Sequence, residues 1–331
     1  LAGAWHARSK SDQDIVCQLA LEKDYAVCEA PLRKFAKLQD PPIDYIADIW
    51  SLRASVDAFV NLGHLIGPEH LARFSKAAIA VFGQIVEPPK PDEVYRPASQ
   101  RGADTHSRWL RDGMMNTLLH MAVLHDQAEF NVPGTTPQEY VNSLVRGLPG
   151  LSKDHRLMVS LQDQMSLLAE AAPIPFLEAL ERLLEGDAMA IRPIFEEQKG
   201  LIGSHSYYFG VLWGLEVIAW DPQLLLRASI CLARLASVDP GGTFSNRPIN
   251  SLRSIFLSWL PNTSANADQR KGVLMNILET VPDISWDLLM QLLPRAHDHS
   301  SPTQRPVFRE FNEPEVITYA VVWDSQSFIV E

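Results

Sequence analysis

The chain has 331 residues, 46% of them apolar and 21% charged, which is enough apolar material for more than one core and excludes disorder over most of its length. Its 29 basic and 40 acidic residues leave a net charge of −11, which weighs against nucleic-acid binding by phosphate neutralisation and against an anionic membrane surface. The three cysteines, Cys17, Cys28 and Cys231, lack metal-ligand spacing and fit free thiols in a reducing cytoplasm.

In chain order, residues 1–85 read as one small unit. "SDQDIVCQLAL" predicts a helix capped at Ser11, with acidic residues in its first turn where the helix dipole favours them. "DYAVCEAPLRKFAKL" predicts a second helix whose apolar face is Ala26, Val27, Ala30, Phe35 and Leu38, with Pro31 near its middle as an early-turn or kink position. After the Pro-Pro break, "IDYIADIWSL" changes period and predicts a short β-hairpin. Helices follow in "SVDAFVNLG" and "GPEHLARFSKAAIAVFG". Helix, helix, hairpin, helix is the order of a winged-helix-like unit.

Residues 86–104 are rich in proline and charge and predict a linker. From 105 to 331 the pattern is almost wholly helical. Helices are expected over 105–124, 137–147, 154–172, 175–184, 206–220, 222–237, 248–259, 268–281 and 284–293. The run "YYFGVLWGLEVIAW" is 14 residues long and carries Glu216, so it is too short to span a membrane and predicts a buried helix. Its Gly210 and Gly214, four apart, would let another helix approach closely.

Three helix pairs turn at prolines: Pro173, Pro222 and Pro282. Proline suits the first turn of a helix, where its missing N–H has no partner to lose. Irregular antiparallel pairs of this kind predict a HEAT-like α-solenoid, with a compact helical bundle as the alternative. The fold class is therefore mainly α: a winged-helix-like unit with a short hairpin over 1–85, a linker over 86–104 and a helical-repeat domain over 105–331.

No catalytic constellation stands out. There is no GxxxxGK[ST], no GxGxxG after a strand, no GxSxG and no HExxH, so no cofactor is expected in this chain. His297 and His299 flank Asp298 and could hold a metal only with further ligands from elsewhere; a solvated loop is the simpler reading. Cys231 lies on an apolar helical stripe and reads as core.

The stretch "PGGTFSNRPINSLRSIFLSWLP", residues 240–261, carries polar groups without an evident reaction. Gly241 and Gly242 end one helix, and Pro248 opens the next. Arg247, Asn250 and Arg253 can tie off loose backbone carbonyls of a long loop, or present an edge to a partner's carboxylate or backbone. The tie is favoured, since an ordered loop must satisfy its own backbone first. As a partner-binding set the sequence nominates Asn246, Arg247, Asn250, Arg253, His297, Asp298 and Arg305, on loops that could share one edge. For DNA, the candidate groups are Arg33, Lys34 and Lys37, a thin basic edge beside Asp24 and Glu29.

The phrases "LLAEAAPIPFLEALE", "GVLWGLEVIAWDPQLLLRASICLARLASVDPGGTFSNRPINSLRSIFLSWLPNTSA" and "WDLLMQLLPRAHDHSSPTQRPVFREF" resemble the C-terminal region of a family of large bacterial STAND-type signalling and defence NTPases. The N-terminal segment, "LAGAWHARSKSDQDIVCQLA" to "IADIWSLRASVDAF", resembles what precedes that region there. The resemblance implies an upstream effector and P-loop NTPase, with this chain as a cytoplasmic sensor arm. Its partners would be a protein trigger or the upstream domains. The opening residue Leu1 fits a piece of a longer protein, with processing as the alternative. No catalytic residue of that family falls within this chain. The alternatives are a DNA-binding regulator using the N-terminal unit, and a metal-dependent hydrolase centred on His297 and His299.

Overall fold

The computed structural model describes residues 1–86, 106–200, 203–295, 297–311 and 314–331, so the expected linker over 86–104 lies almost wholly outside the described residues. The chain is mainly α-helical, with one small three-stranded sheet near its N-terminus and a two-stranded hairpin further on. It divides into two compact units, Leu1–Leu151 and Ser152–Glu331.

The first unit begins with β1 (Ala4–His6), α1 (Lys10–Ala20), α2 (Tyr25–Phe35), β2 (Ile43–Ile46) and β3 (Ile49–Leu52). The strands form an antiparallel sheet in the order β1-β3-β2. Trp50 is opposite both Trp5 and Tyr45 and is fully buried, so one indole anchors all three strands. Ala47 and Asp48, at φ 50° and 64°, make the two-residue hairpin turn, the geometry that matches the twist of paired strands. The α1 cap is Ser9, whose hydroxyl accepts from Asp12 N, and not Ser11, which lies inside the helix.

The expected apolar face of α2 is not its inner face. Ala26, Val27, Ala30, Phe35 and Leu38 are exposed, while the half-buried positions are Tyr25, Cys28, Glu29, Leu32 and Ala36. Polar contacts override the hydrophobic period here. Trp5 Nε1 donates to Tyr25 Oη at 2.9 Å and Trp50 Nε1 donates to Glu29 Oε1 at 3.1 Å, so the two core tryptophans select the side of α2 that faces them.

The unit continues through α3 (Ser55–Leu62), α4 (Pro68–Phe82), α5 (Arg108–Val123) and α6 (Pro137–Arg146). The sequence places α5 and α6 in the second domain; the structure places them in the first. Two side-chain-free positions make this possible. A Cβ on Gly3 would meet Gly113 O at 2.7 Å, and a Cβ on Gly113 would collide with the backbone of Ala2 and Ala4, so α5 lies directly on β1. The carboxylate of Asp12, fully buried, accepts from Ser107 N (2.9 Å) and Ser107 Oγ (2.5 Å) at the start of α5, and from His6 N (2.9 Å). Tyr140 of α6 donates to Leu71 O of α4 at 3.0 Å.

The second unit contains α7 (His155–Ser160), α8 (Met165–Ala171), α9 (Pro173–Leu183), β4 (Gln198–Gly200), β5 (Gly203–His205), α10 (Phe209–Ile218), α11 (Leu225–Val238), α12 (Pro248–Phe256), α13 (Ala267–Thr280), α14 (Pro282–Leu292) and α15 (Tyr319–Val330). The single helix expected over 154–172 is broken by a 3-10 turn at Gln162–Gln164. The break lets α10 in: a Cβ on Gly210 would meet Gln162 O at 2.6 Å, and one on Gly214 would meet Phe176 and Ala169 at 3.0 and 3.2 Å. The expected close approach at these two glycines is present.

From α8 onward the helices alternate between two layers. In one, α8 packs on α10, α10 on α12 and α12 on α14; in the other, α9 packs on α11, α11 on α13 and α13 on α15. Two of the proline joints share one conformation. Ala172 (φ −138°, ψ 66°) and Val281 (φ −137°, ψ 64°) each precede a proline at the first helical position. Pro222 lies instead in a turn, and its helix starts three residues later at Leu225. Neither β4–β5 nor α15 is apparent from the sequence pattern.

Candidate functional site

The site lies wholly within the second unit and is built around residues 297–309, an extended segment between α14 and α15. This strap meets α12, α10 and α8 in that order, and one charged side chain of each of these three helices holds it. On α12, Arg253 pairs with Asp298 and donates through Nη1 to His299 O at 3.0 Å; the Trp259 indole donates to the other Asp298 oxygen at 3.1 Å. On α10, Glu216 accepts from Gln304 N at 2.9 Å and from Ser251 Oγ at 2.6 Å. On α8, Glu170 accepts from three successive backbone amides, Val307, Phe308 and Arg309, at 2.6–2.8 Å. Hydrogen bonds to charged groups are stronger than those between neutral ones, so an irregular segment is fastened at three points along its length.

The electrostatics follow from burial. Glu216 is 6% exposed and its carboxyl is pushed above the usual range by desolvation, partly countered by the Ser251 and Gln304 donors. Burial also pushes Asp298 up, but the Trp259 indole N–H and the Arg253 guanidinium outweigh it and hold the carboxyl below its ordinary value. Trp220 adds a neutral fastening, donating to Gln304 O at 2.9 Å while the Arg305 guanidinium lies over its ring at 4.3 Å.

Between the strap and α10, α12 and α14 lies a cavity of about 570 Å³. Asn246, Asn250 and Arg253 line one wall, and Arg295, His299 and Thr303 another. Asn250 donates to Ser245 O at 2.6 Å, which shapes the loop before α12. The Asn246 amide and the Arg295 guanidinium have no partner among the described residues, and neither has the buried Thr303 hydroxyl. These groups give the cavity open donors and acceptors of both kinds. The Trp213 indole supplies its exposed apolar surface.

The seven nominated residues thus divide. Asn246, Asn250 and Arg253 come together at the cavity, and Asp298 orients Arg253 behind it. Arg305 lies on the strap against Trp220. His297 is exposed and does not line the cavity. Arg247 is a correction: it is 7% exposed, with its guanidinium on Glu197 (2.7 Å), Asp239 (2.9 Å) and Phe244 O (3.2 Å), above the Tyr208 ring. It is enclosed and fastens the 239–247 loop, the tie rather than a contact group. Glu197 receives Thr243 N and Oγ1 as well, which with Arg247 keeps its carboxyl low. A Cβ on Gly242 would collide with both Glu197 and Arg247, so this turn requires glycine.

Among the described residues no group of three His, Cys, Asp or Glu side chains could hold a metal, so His297 and His299 gain no further ligand. No helix among them is long and apolar enough to cross a membrane. Sequence reasoning missed Glu170, Arg295 and Thr303, and took Glu216 only as an interruption of an apolar run. A single carboxylate inside an otherwise apolar helix was the available signal for both glutamates, since such a group must find donors when buried. No protein-family model, curated protein or solved structure matches the chain.

Proposed function

We propose that this chain is a non-catalytic interaction and sensor module, the cytoplasmic C-terminal arm of a larger STAND-type signalling or defence ATPase, and that the cavity under the strap is where a protein trigger makes contact. The observation that carries the reading is the convergence of Asn246, Asn250 and Arg253 on one cavity with unengaged hydrogen-bonding groups. Its volume falls within the range of ordinary ligand pockets, about 300–1,000 Å³, enough for a few residues of a peptide. The carboxylate in its wall, Glu216, is already engaged by two donors and is poorly placed to act as a base. A trigger seated there touches α12 and the strap at once, so it would bind one arrangement of the strap better than another, which is all a population shift requires.

The finer fold terms belong to the same reading. Two helices between β1 and the β2–β3 hairpin, with strand order β1-β3-β2, support a winged-helix-like first unit. Alternating two-layer packing supports a HEAT-like second unit. The strand order also keeps DNA binding as a second reading, with α2 as the reading helix. Against it, Arg33 is tied to Glu29 at 2.9 Å and lies over Tyr45, and Val27, Phe35 and Leu38 occupy the outward face.

A photo-crosslinking residue placed at Asn246, compared with one at exposed Lys153, tests the proposal in the native cell. The expected result is a discrete protein adduct at position 246 that is lost when Asn250→Trp fills the cavity. Identical adduct patterns at the two positions, or no adduct at 246, would remove the cavity as the contact site.

A further inference from the structure

The contact between α1 and α2 closes over two sulfurs. Cys17 of α1 and Cys28 of α2 have their Sγ atoms 4.0 Å apart, both are half-buried, and both are free thiols. That separation is close to van der Waals contact; a disulfide needs about 2.05 Å, so the two sulfurs would have to approach by about 2 Å for the bond to form. Cys231 is in a different position. It is 1% exposed within α11, and burial pushes its thiol up to about 12, so it stays inert.

A bond between Cys17 and Cys28 would matter because α2 is weakly held. No residue of α2 is buried. Its attachment rests on the hydrogen bonds from Trp5 and Trp50, on the Arg33 guanidinium over the Tyr45 ring, on the half-buried Leu32 and on the contact between the two sulfurs. Val27, Phe35 and Leu38, each about half exposed, lie on the side away from that attachment. A covalent link would therefore decide whether this helix can tilt or release.

We propose that Cys17 and Cys28 are a redox-responsive dithiol, which a small disulfide such as glutathione disulfide converts into an intramolecular disulfide that fastens α2 to α1. The exchange balances. The Cys17 sulfur, having lost its proton to solvent, attacks one sulfur of glutathione disulfide; the glutathione S–S bond breaks and one glutathione leaves as thiol. Cys28, deprotonated in turn, attacks Cys17 Sγ in the mixed disulfide and releases the second glutathione. Two protein thiols are oxidised, and one disulfide is reduced to two thiols. Burial first, and then the neighbouring Cys17, push the Cys28 thiol up to about 11; the same balance holds with the two sulfurs exchanged, since whichever attacks second acts at close range. This inference is independent of the cavity in the second unit.

The full chain is incubated with glutathione disulfide, unfolded, alkylated and digested with trypsin. Cleavage after Lys10, Lys23 and Arg33 separates the two cysteines into peptides 11–23 and 24–33. The expected product joins these peptides with the loss of two hydrogens, leaves Cys231 alkylated, and is reversed by dithiothreitol. In Cys28→Ser the reaction stops at a glutathione adduct on Cys17. The oxidised protein also exchanges the backbone amides of α2 more slowly than the reduced protein. Alkylation of both thiols after long incubation, glutathione adducts on both sulfurs, or a link between two chains would overturn the pairing. Unchanged α2 exchange after oxidation would overturn the fastening.

Discussion

His120 of α5 shows how much one buried side chain can control. It is 2% exposed, its ring centroid lies 5.8 Å from that of Phe59, and desolvation pushes its pKa from 6.5 down to about 4. The folded unit therefore holds a neutral imidazole at pH values where the unfolded chain binds a proton. Stability attached to this group is complete above pH 6.5 and falls as the pH drops through about 4, by about 3 kcal/mol. His120→Phe should flatten that part of the pH dependence; urea titrations of the first unit at several pH values would read it, and parallel curves for variant and parent would refute it. Position 120 could be placed on a helix from its sequence neighbours, but its burial against Phe59 could not. That depends on which side of α5 faces α3.

At the scale of elements, the strap shows how an irregular segment becomes structural. Three amides converge on Glu170, itself 2% exposed. Glu170→Ala removes the carboxylate that these three amides share, at a cost of about 3 kcal/mol for bonds to a charged group. Hydrogen exchange at Val307, Phe308 and Arg309 should quicken by about a hundredfold if the strap detaches locally. Unaltered protection at all three would mean that other contacts hold it. The helices that the strap crosses were legible, because their apolar residues recur at helical period. The proline joints were legible too, because proline excludes most other backbone placements. The strap was not: its partners, Arg253, Glu216 and Glu170, precede the groups they hold by 45 to 139 residues. Nor was the true inner face of α2, where two tryptophans outweigh the apolar pattern.

At the scale of the molecule, the net charge of −11 sets the expectation for nucleic acid. Binding that depends on phosphate neutralisation weakens steeply with salt and needs several free cations on one surface. With Arg33 paired, Lys34 and Lys37 are a small remainder. The chain should show no retention on duplex DNA at moderate salt. Retention that falls with added salt and is abolished by Lys34→Glu together with Lys37→Glu would bring the DNA reading forward instead.

Amino-acid order by itself determined the helical class, the hairpin, the proline joints and the small residues at which α10 meets its neighbours, since each is a local preference expressed within a turn or two of backbone. It also singled out Asn246, Asn250 and Arg253. Only the tertiary structure decided that α5 and α6 belong with the N-terminal sheet, that Arg247 is enclosed while Asn246 faces an open cavity, and that Cys17 meets Cys28. Those outcomes depend on which distant groups share a small buried volume, where an unpaired donor or charge is costly. That cost is settled by the packing of the whole unit and leaves no periodic trace in the chain.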